Sequence, residues 1–138
     1  MAAILVDTGI LYAMADIDDA WHERAKIFLQ NIIDILVVPI TVLPEICYLL
    51  NTHLSQDSEK KLIASVTQGE FRIEGLTNED FRRSYQLLES YSDMNIGFVD
   101  ASVVAVAERL KIHRILTTDR KHFSIIRPRH CQTFDLLP

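Results

Sequence analysis

Apolar and polar positions along this chain switch repeatedly between a short continuous rhythm and a helical one. Ala3-Ile4-Leu5-Val6 is an apolar run closed by Asp7, which reads as a buried strand leading into a short helix over Thr8–Ala15. Asp18 and Asp19 can start a second helix reaching about Ile33, with Trp21, Ala25, Phe28, Leu29 and Ile32 at helical spacing. Ile35–Pro39 is short, apolar and β-branched, hence a strand. Thr41 then suits an N-cap, with Pro44 tolerable in the first turn of a helix carrying Glu45, Ile46, Leu49 and Leu50 to about His53.

The same alternation continues to the end. A helix is predicted over Ser58–Thr67 and a strand over Glu70–Glu74, where polar and apolar residues alternate. Thr77-Asn78-Glu79-Asp80 has the composition of a capped helix start, followed by Phe81, Tyr85, Leu88 and Tyr91 on one face. Asp100–Leu110 reads as a helix opened by Asp100, Arg114–Thr118 as a strand closed by Asp119, and Gln132–Leu136 as a last short strand. Strands alternating with helices indicate an α/β fold with a central, mainly parallel sheet. No repeat, low-complexity stretch or Pro/Gly-rich linker divides the chain, so residues 1–138 are expected to form a single domain.

Composition narrows the class without naming a chemistry. Hydrophobic residues make up 49% and charged residues 24% of the chain, the balance of a folded globular domain rather than a disordered one. No apolar run approaches the roughly 18–20 residues that span a bilayer. The first apolar stretch has no basic region before it and carries Asp7, so no signal peptide is expected. Two cysteines, Cys47 and Cys131, lack any metal-ligand spacing and are expected to be reduced, which points to the cytoplasm.

Charge is unevenly distributed. Arg109–His130 holds seven Lys/Arg against one acid, whereas residues 1–108 hold seven basic and seventeen acidic residues. That asymmetry suits a protein handling a polyanion beside an acidic centre, although a solvated basic face would look the same.

The chemistry lies in four acids, Asp7, Glu45, Asp100 and Asp119, each at an element edge beside residues that should be buried. An ionised carboxylate there is costly unless compensated, and four such groups suggest one shared cation. Asp7 and Asp119 fall at the carboxyl ends of strands, where open α/β sheets collect ligands. Oxygen donors without Cys or His suit Mg²⁺ or Mn²⁺ better than Zn²⁺, and Mg²⁺ held by carboxylates suits phosphodiester hydrolysis. Each acid also has a modest alternative use: Asp7 and Asp100 as helix caps, Glu45 as a solvated helix residue, Asp119 as a turn residue.

The stretch from Met94 through Asp100 to Leu110, then Ile115-Leu116-Thr117-Thr118-Asp119 and His122-Phe123, resembles PIN-domain ribonucleases. Ile4-Leu5-Val6-Asp7-Thr8 and Val42-Leu43-Pro44-Glu45 match the family's first two motifs in order and spacing. The resemblance implies a three-layer α/β/α fold and Mg²⁺- or Mn²⁺-dependent RNA cleavage, and it is greatest to small VapC-type toxins, which act as homodimers and are held inactive by an antitoxin.

By position, the resemblance makes Asp7 and Asp100 the central metal ligands, with Asp119 as a further ligand and Glu45 completing the acidic pocket. Thr8 or Thr117 would orient ligands or water, and Asp93 would stand outside the ligands. RNA contacts are expected from Arg120 and Lys121, which adjoin Asp119, and from Arg109 and Arg114. The aromatic stripe of Phe81, Tyr85, Leu88 and Tyr91 reads as core-facing, and a homodimer is expected with this helix or the Thr41–His53 helix contributing. His113, His122 and His130 lie in the basic segment without a required role. Two other readings compete: a PIN fold serving RNA binding or processing without a toxin role, and a receiver-type phosphoacceptor module. The second would want paired N-terminal acids where only Asp7 stands.

Overall fold

The computed structural model describes residues 2–138. Five parallel strands form one sheet: β1 (Ala3–Val6), β2 (Ile35–Pro39), β3 (Arg72–Glu74), β4 (Arg114–Leu116) and β5 (Asp135–Leu137), in the order β3-β2-β1-β4-β5. β1 is central, and Ile4, Leu5 and Val6 are buried because a parallel strand is covered on both faces. The order reverses beside β1, and right-handed crossovers in the two directions send helices to opposite faces. The result is a three-layer α/β/α sandwich.

The helices preceding β3 are α1 (Thr8–Ala15), α2 (His22–Gln30), α3 (Val42–His53) and α4 (Gln56–Thr67), which pack against one another through α1 and α3. Between β3 and β4 come α5 (Asn78–Ser90), a 3₁₀ turn (Ser92–Met94) and α6 (Phe98–Leu110), with α5 packed along α6. Ala101–Glu108 of α6 is buried throughout, as a helix apolar on nearly all sides requires. α5 starts with a reciprocal capping box: Thr77 accepts from the Asp80 N–H and the Asp80 carboxylate accepts from the Thr77 N–H. No helix among the described residues is long and apolar enough to cross a membrane.

Several element boundaries differ from the sequence expectations. β4 ends at Leu116, so Asp119 stands beyond the strand and caps a helix, α7 (Arg120–Ile125), whose six residues are too few to show a periodic pattern. α6 begins at Phe98 with Gly97 at the N-cap, which puts Asp100 inside the first turn rather than at its opening. α2 is shorter than expected, and β5 is shifted to Asp135–Leu137. Thr41 occupies the N-cap position of α3 in helical backbone geometry and makes no capping bond; its hydroxyl meets Ser102 Oγ at 2.5 Å and so ties α3 to α6.

The α5 stripe is also corrected. Its buried positions are Asp80, Ser84 and Leu87, and of the stripe only Leu88 and Tyr91 pack, half-buried, against the core, while Phe81 and Tyr85 are exposed by 53% and 65%. Polar residues take the inward face because Asp80 receives Arg109 and Ser84 Oγ donates to the Asp80 carbonyl.

Candidate metal centre

All four acids stand where a helix begins. Asp7 is the N-cap residue of α1, Glu45 and Asp100 lie in the first turns of α3 and α6, and Asp119 is the N-cap of α7. Helix N-termini favour negative charge, so the backbone supports a cluster of carboxylates here. The centre sits outside the carboxyl ends of β1 and β4, beside the point where strand order reverses.

The electrostatic state of the cluster is the decisive feature. Asp7 is only 5% exposed, and its pKa is pushed up to about 7, first by burial and then by the charges of Asp100 and Asp119, against hydrogen bonds from the Thr8 backbone and the Thr117 side chain. The Asp100 carboxyl is likewise raised, first by burial, then by Asp119 and Glu45, with the Gly97 backbone and His122 opposing. Neither Asp7 nor Asp100 is paired with Lys or Arg among the described residues. Crowded, unpaired carboxylates of this kind are stabilised as anions by a divalent cation.

Hydrogen bonds fix the donors. Thr117 Oγ1 donates to Asp7 Oδ2 at 2.9 Å and accepts from the Asp119 N–H at 2.9 Å, linking the first acid to the fourth. Asp119 Oδ1 accepts from the His122 N–H at 3.0 Å, and Oδ2 meets His122 Nδ1 at 2.7 Å. The other ring nitrogen, Nε2, lies 3.0 Å from the Met94 carbonyl. Both partners of the ring are acceptors, and the hydrogen bond to Asp119 raises the His122 pKa. One donor atom each from Asp100, Asp119 and His122 lies within 4.8 Å of the other two.

One further detail favours a ligand here, and a second fixes the packing beside it. Thr8 Oγ1 is buried with no hydrogen-bond partner among the described residues. A Cβ at Gly9 would stand 2.2 Å from Thr118 Oγ1, so glycine lets α1 approach the β4–α7 loop without moving the Thr118 hydroxyl. The donor set of hard oxygens fits a hard divalent cation.

The PIN domain family model matches residues 4–127. The chain belongs to the PIN-domain family. Over 135 residues this PIN domain is 29% identical to Ribonuclease VapC26 of Mycobacterium tuberculosis, an alignment covering 98% of this chain and all of that protein. Its fold superposes on the Mycobacterium tuberculosis VapC20 structure, described as a Sarcin-Ricin loop cleaving toxin, with a TM-score of 0.80 at 24% identity, covering 86% of this chain and 91% of that one. A toxin–antitoxin complex from Klebsiella pneumoniae is similar with a TM-score of 0.69 at 20% identity, over 89% of this chain and 92% of that one.

Within this PIN domain, Asp100 and Asp119 lie near enough to Asp7 to raise its pKa and Thr117 bridges Asp7 and Asp119, but Asp7 is not among the three side chains whose donor atoms lie within 4.8 Å of one another. Glu45 stands exposed at the rim, close enough to act on Asp100. Asp93 does not join them: it is exposed in the 3₁₀ turn and makes no side-chain hydrogen bond to the four acids. Asp7 occupies the N-cap position of α1 without a side-chain capping bond to its first turn, whereas Asp100, three residues past the Gly97 N-cap, keeps a hydrogen bond to the Gly97 backbone alongside its place in the cluster. Asp119, for which a turn was the alternative, instead caps α7.

The four basic residues separate. Arg120 and Lys121 are exposed on α7 next to Asp119, with Arg120 over Trp21 at 5.4 Å and also donating to the Pro138 carbonyl. Arg109 is withdrawn from any RNA role: its guanidinium is committed to Asp80 at 3.0 Å, Glu74 at 3.1 Å and the Gly75 carbonyl at 3.0 Å. It lies nine residues beyond Asp100 on the same helix, about 13 Å along the axis. Arg114 is withdrawn too, because it opens β4 at the end of the sheet opposite the acids and pairs with Asp34. His122 is the residue that sequence reasoning left without a role. Its signal was the spacing of Asp119 and His122, which becomes a contact once a helix begins at Arg120.

Proposed function

We propose that this PIN domain is a metal-dependent endoribonuclease that hydrolyses RNA phosphodiesters at Asp7, Asp100 and Asp119, with Glu45 at the rim. The observation that carries the reading is the convergence of these carboxylates with no basic side chain on Asp7 or Asp100, which lifts Asp7 to about 7. Asp7, Asp100 and Asp119 would hold Mg²⁺ or Mn²⁺, which supplies Lewis acidity toward the phosphoryl oxygens and lowers the pKa of water. Thr117 keeps the Asp7 carboxylate oriented, and His122 does the same for Asp119. Arg120 and Lys121 bind phosphates beside the cluster.

The VapC26 ribonuclease name and the fold shared with toxin–antitoxin complexes support a toxin role with a protein antitoxin as partner. The free cysteines Cys47 and Cys131 accord with the cytoplasm, where such a pair would act. A homodimer fits the exposed aromatic face of α5, where Phe81 stacks on Phe98 of α6 with ring centroids 5.9 Å apart. Light scattering over a dilution series tests it, and a mass near 15.8 kDa throughout would remove the dimer.

Cleavage of labelled RNA is the test of the function. The wild-type protein should cleave with Mn²⁺ and stop with EDTA, and Asp100→Asn should lose activity by orders of magnitude while keeping its circular dichroism spectrum. Asp100→Asn protein cleaving at the wild-type rate would refute the site.

A further inference from the structure

At the end of the sheet opposite the acids, three side chains of a different ligand chemistry meet. β4 and β5 are parallel neighbours with Arg114 beside Asp135, so the residues ahead of both strands arrive at the same edge. The Asp135 N–H donates to the His113 carbonyl at 2.9 Å and fastens one approach to the other. One donor atom from each of His113, His130 and Cys131 lies within 4.8 Å of the other two.

The His130 ring is already held as metal-binding imidazoles commonly are. Nε2 lies 2.7 Å from the Ile112 carbonyl, which can only accept, so Nε2 carries the proton and Nδ1 the lone pair. Nδ1 is buried with no hydrogen-bond partner among the described residues, so an acceptor has been desolvated without compensation. His113 is exposed with its ring centroid 5.2 Å from that of His130. Cys131 Sγ donates to the Thr133 carbonyl at 3.4 Å and lies 3.8 Å from His130 on its Nε2 side, so Cys131 must move toward Nδ1 for the two to share an ion.

We propose that His113, His130 and Cys131 form a second divalent-cation site, selective for an ion that prefers imidazole and thiolate, of which Zn²⁺ is the type. Tetrahedral Zn–N and Zn–S bonds near 2.0–2.3 Å put ligand atoms about 3.3–3.6 Å apart, so the trio must close by about 1 Å, and exposed His113 is free to do so. Binding replaces the thiol proton by the metal and releases one proton to solvent. Three protein donors leave the fourth position to water. The site would clip the loop ahead of β5 to the turn ahead of β4, and it is distinct in donor chemistry from the oxygen cluster at the other end of the sheet.

Co²⁺ titration of the full chain, with excess Mg²⁺ present to satisfy the carboxylates, tests the assignment. A near-ultraviolet thiolate-to-cobalt band should grow to saturation at one equivalent and be displaced by Zn²⁺. Cys131→Ser should abolish the band, Cys47→Ser should leave it intact, and His113→Ala should weaken Co²⁺ binding at least about tenfold. Zn²⁺ should raise the thermal midpoint of the wild type and not that of Cys131→Ser. No band, a band that survives Cys131→Ser or follows Cys47, or saturation at half an equivalent through two chains would each overturn the site.

Discussion

Replacing Asp7 by Asn isolates the electrostatic argument from catalysis. In the metal-free protein the Asp7 pKa stands at about 7 against an ordinary 3.8. A carboxyl raised on folding binds its proton more tightly when folded, so folding stability falls as pH rises between those values and is level on either side. About three units at about 1.4 kcal/mol each give a penalty of about 4 kcal/mol, fully present above pH 7 and absent below pH 4. Asn keeps the shape and can still accept from Thr117 Oγ1, but its buried NH₂ group costs about 1–3 kcal/mol if unpartnered.

Asp7→Asn should therefore be more stable than wild type by about 1–3 kcal/mol at pH 8 in EDTA and no more stable than wild type at pH 4. The assay is urea denaturation across that range, where a slope of about 2 kcal/mol/M turns the difference at pH 8 into a midpoint shift of about 0.5–1.5 M. A weaker fall with pH should remain in the variant, because Asp100 is raised as well. Saturating Mn²⁺ should reverse the order by stabilising wild type more than Asp7→Asn. Wild-type and variant curves running parallel from pH 4 to 7 would refute the reasoning.

Other perturbations separate the basic residues and the packing around the centre. Arg120→Ala with Lys121→Ala should weaken RNA binding and reduce the slope of log affinity against log salt by about 1.4, the loss of two phosphate contacts to a single strand; an unchanged slope would return α7 to a merely solvated face. Arg109→Ala should leave that slope alone and cost about 3–5 kcal/mol in denaturation, because Asp80, 3% exposed, loses its partner. Gly9→Ala should cost about 1–3 kcal/mol and slow RNA cleavage by displacing Thr118 beside Asp119, measured by denaturation and turnover on the same sample. A Gly9→Ala protein of wild-type stability and rate would mean that Thr118 yields freely.

What could be read from the chain alone was whatever a local pattern encodes. Ile4-Leu5-Val6 had to be a strand covered on both faces, the alternation of elements required a mainly parallel sheet, and Asp7 at the end of the first strand belonged where such sheets bind ligands. Asp7 and Asp100 were legible for the same reason, as charges placed where burial makes charge expensive, whereas Glu45 is exposed. Tertiary structure decided which neighbours each side chain acquired. Arg109 and Arg114 carry the same charge as Arg120, but Asp80 and Asp34 neutralise them, and both pairings join residues 29 and 80 positions apart. Phe81 and Tyr85 looked inward because aromatic residues usually do, until a buried Asp80–Arg109 pair claimed the inner face of α5. His113, His130 and Cys131 have no motif spacing, and only the parallel pairing of β4 with β5 brings them together. Helical and strand periodicities repeat over a few residues and survive in sequence, whereas charge compensation and ligand geometry depend on which distant segment fills the adjacent space.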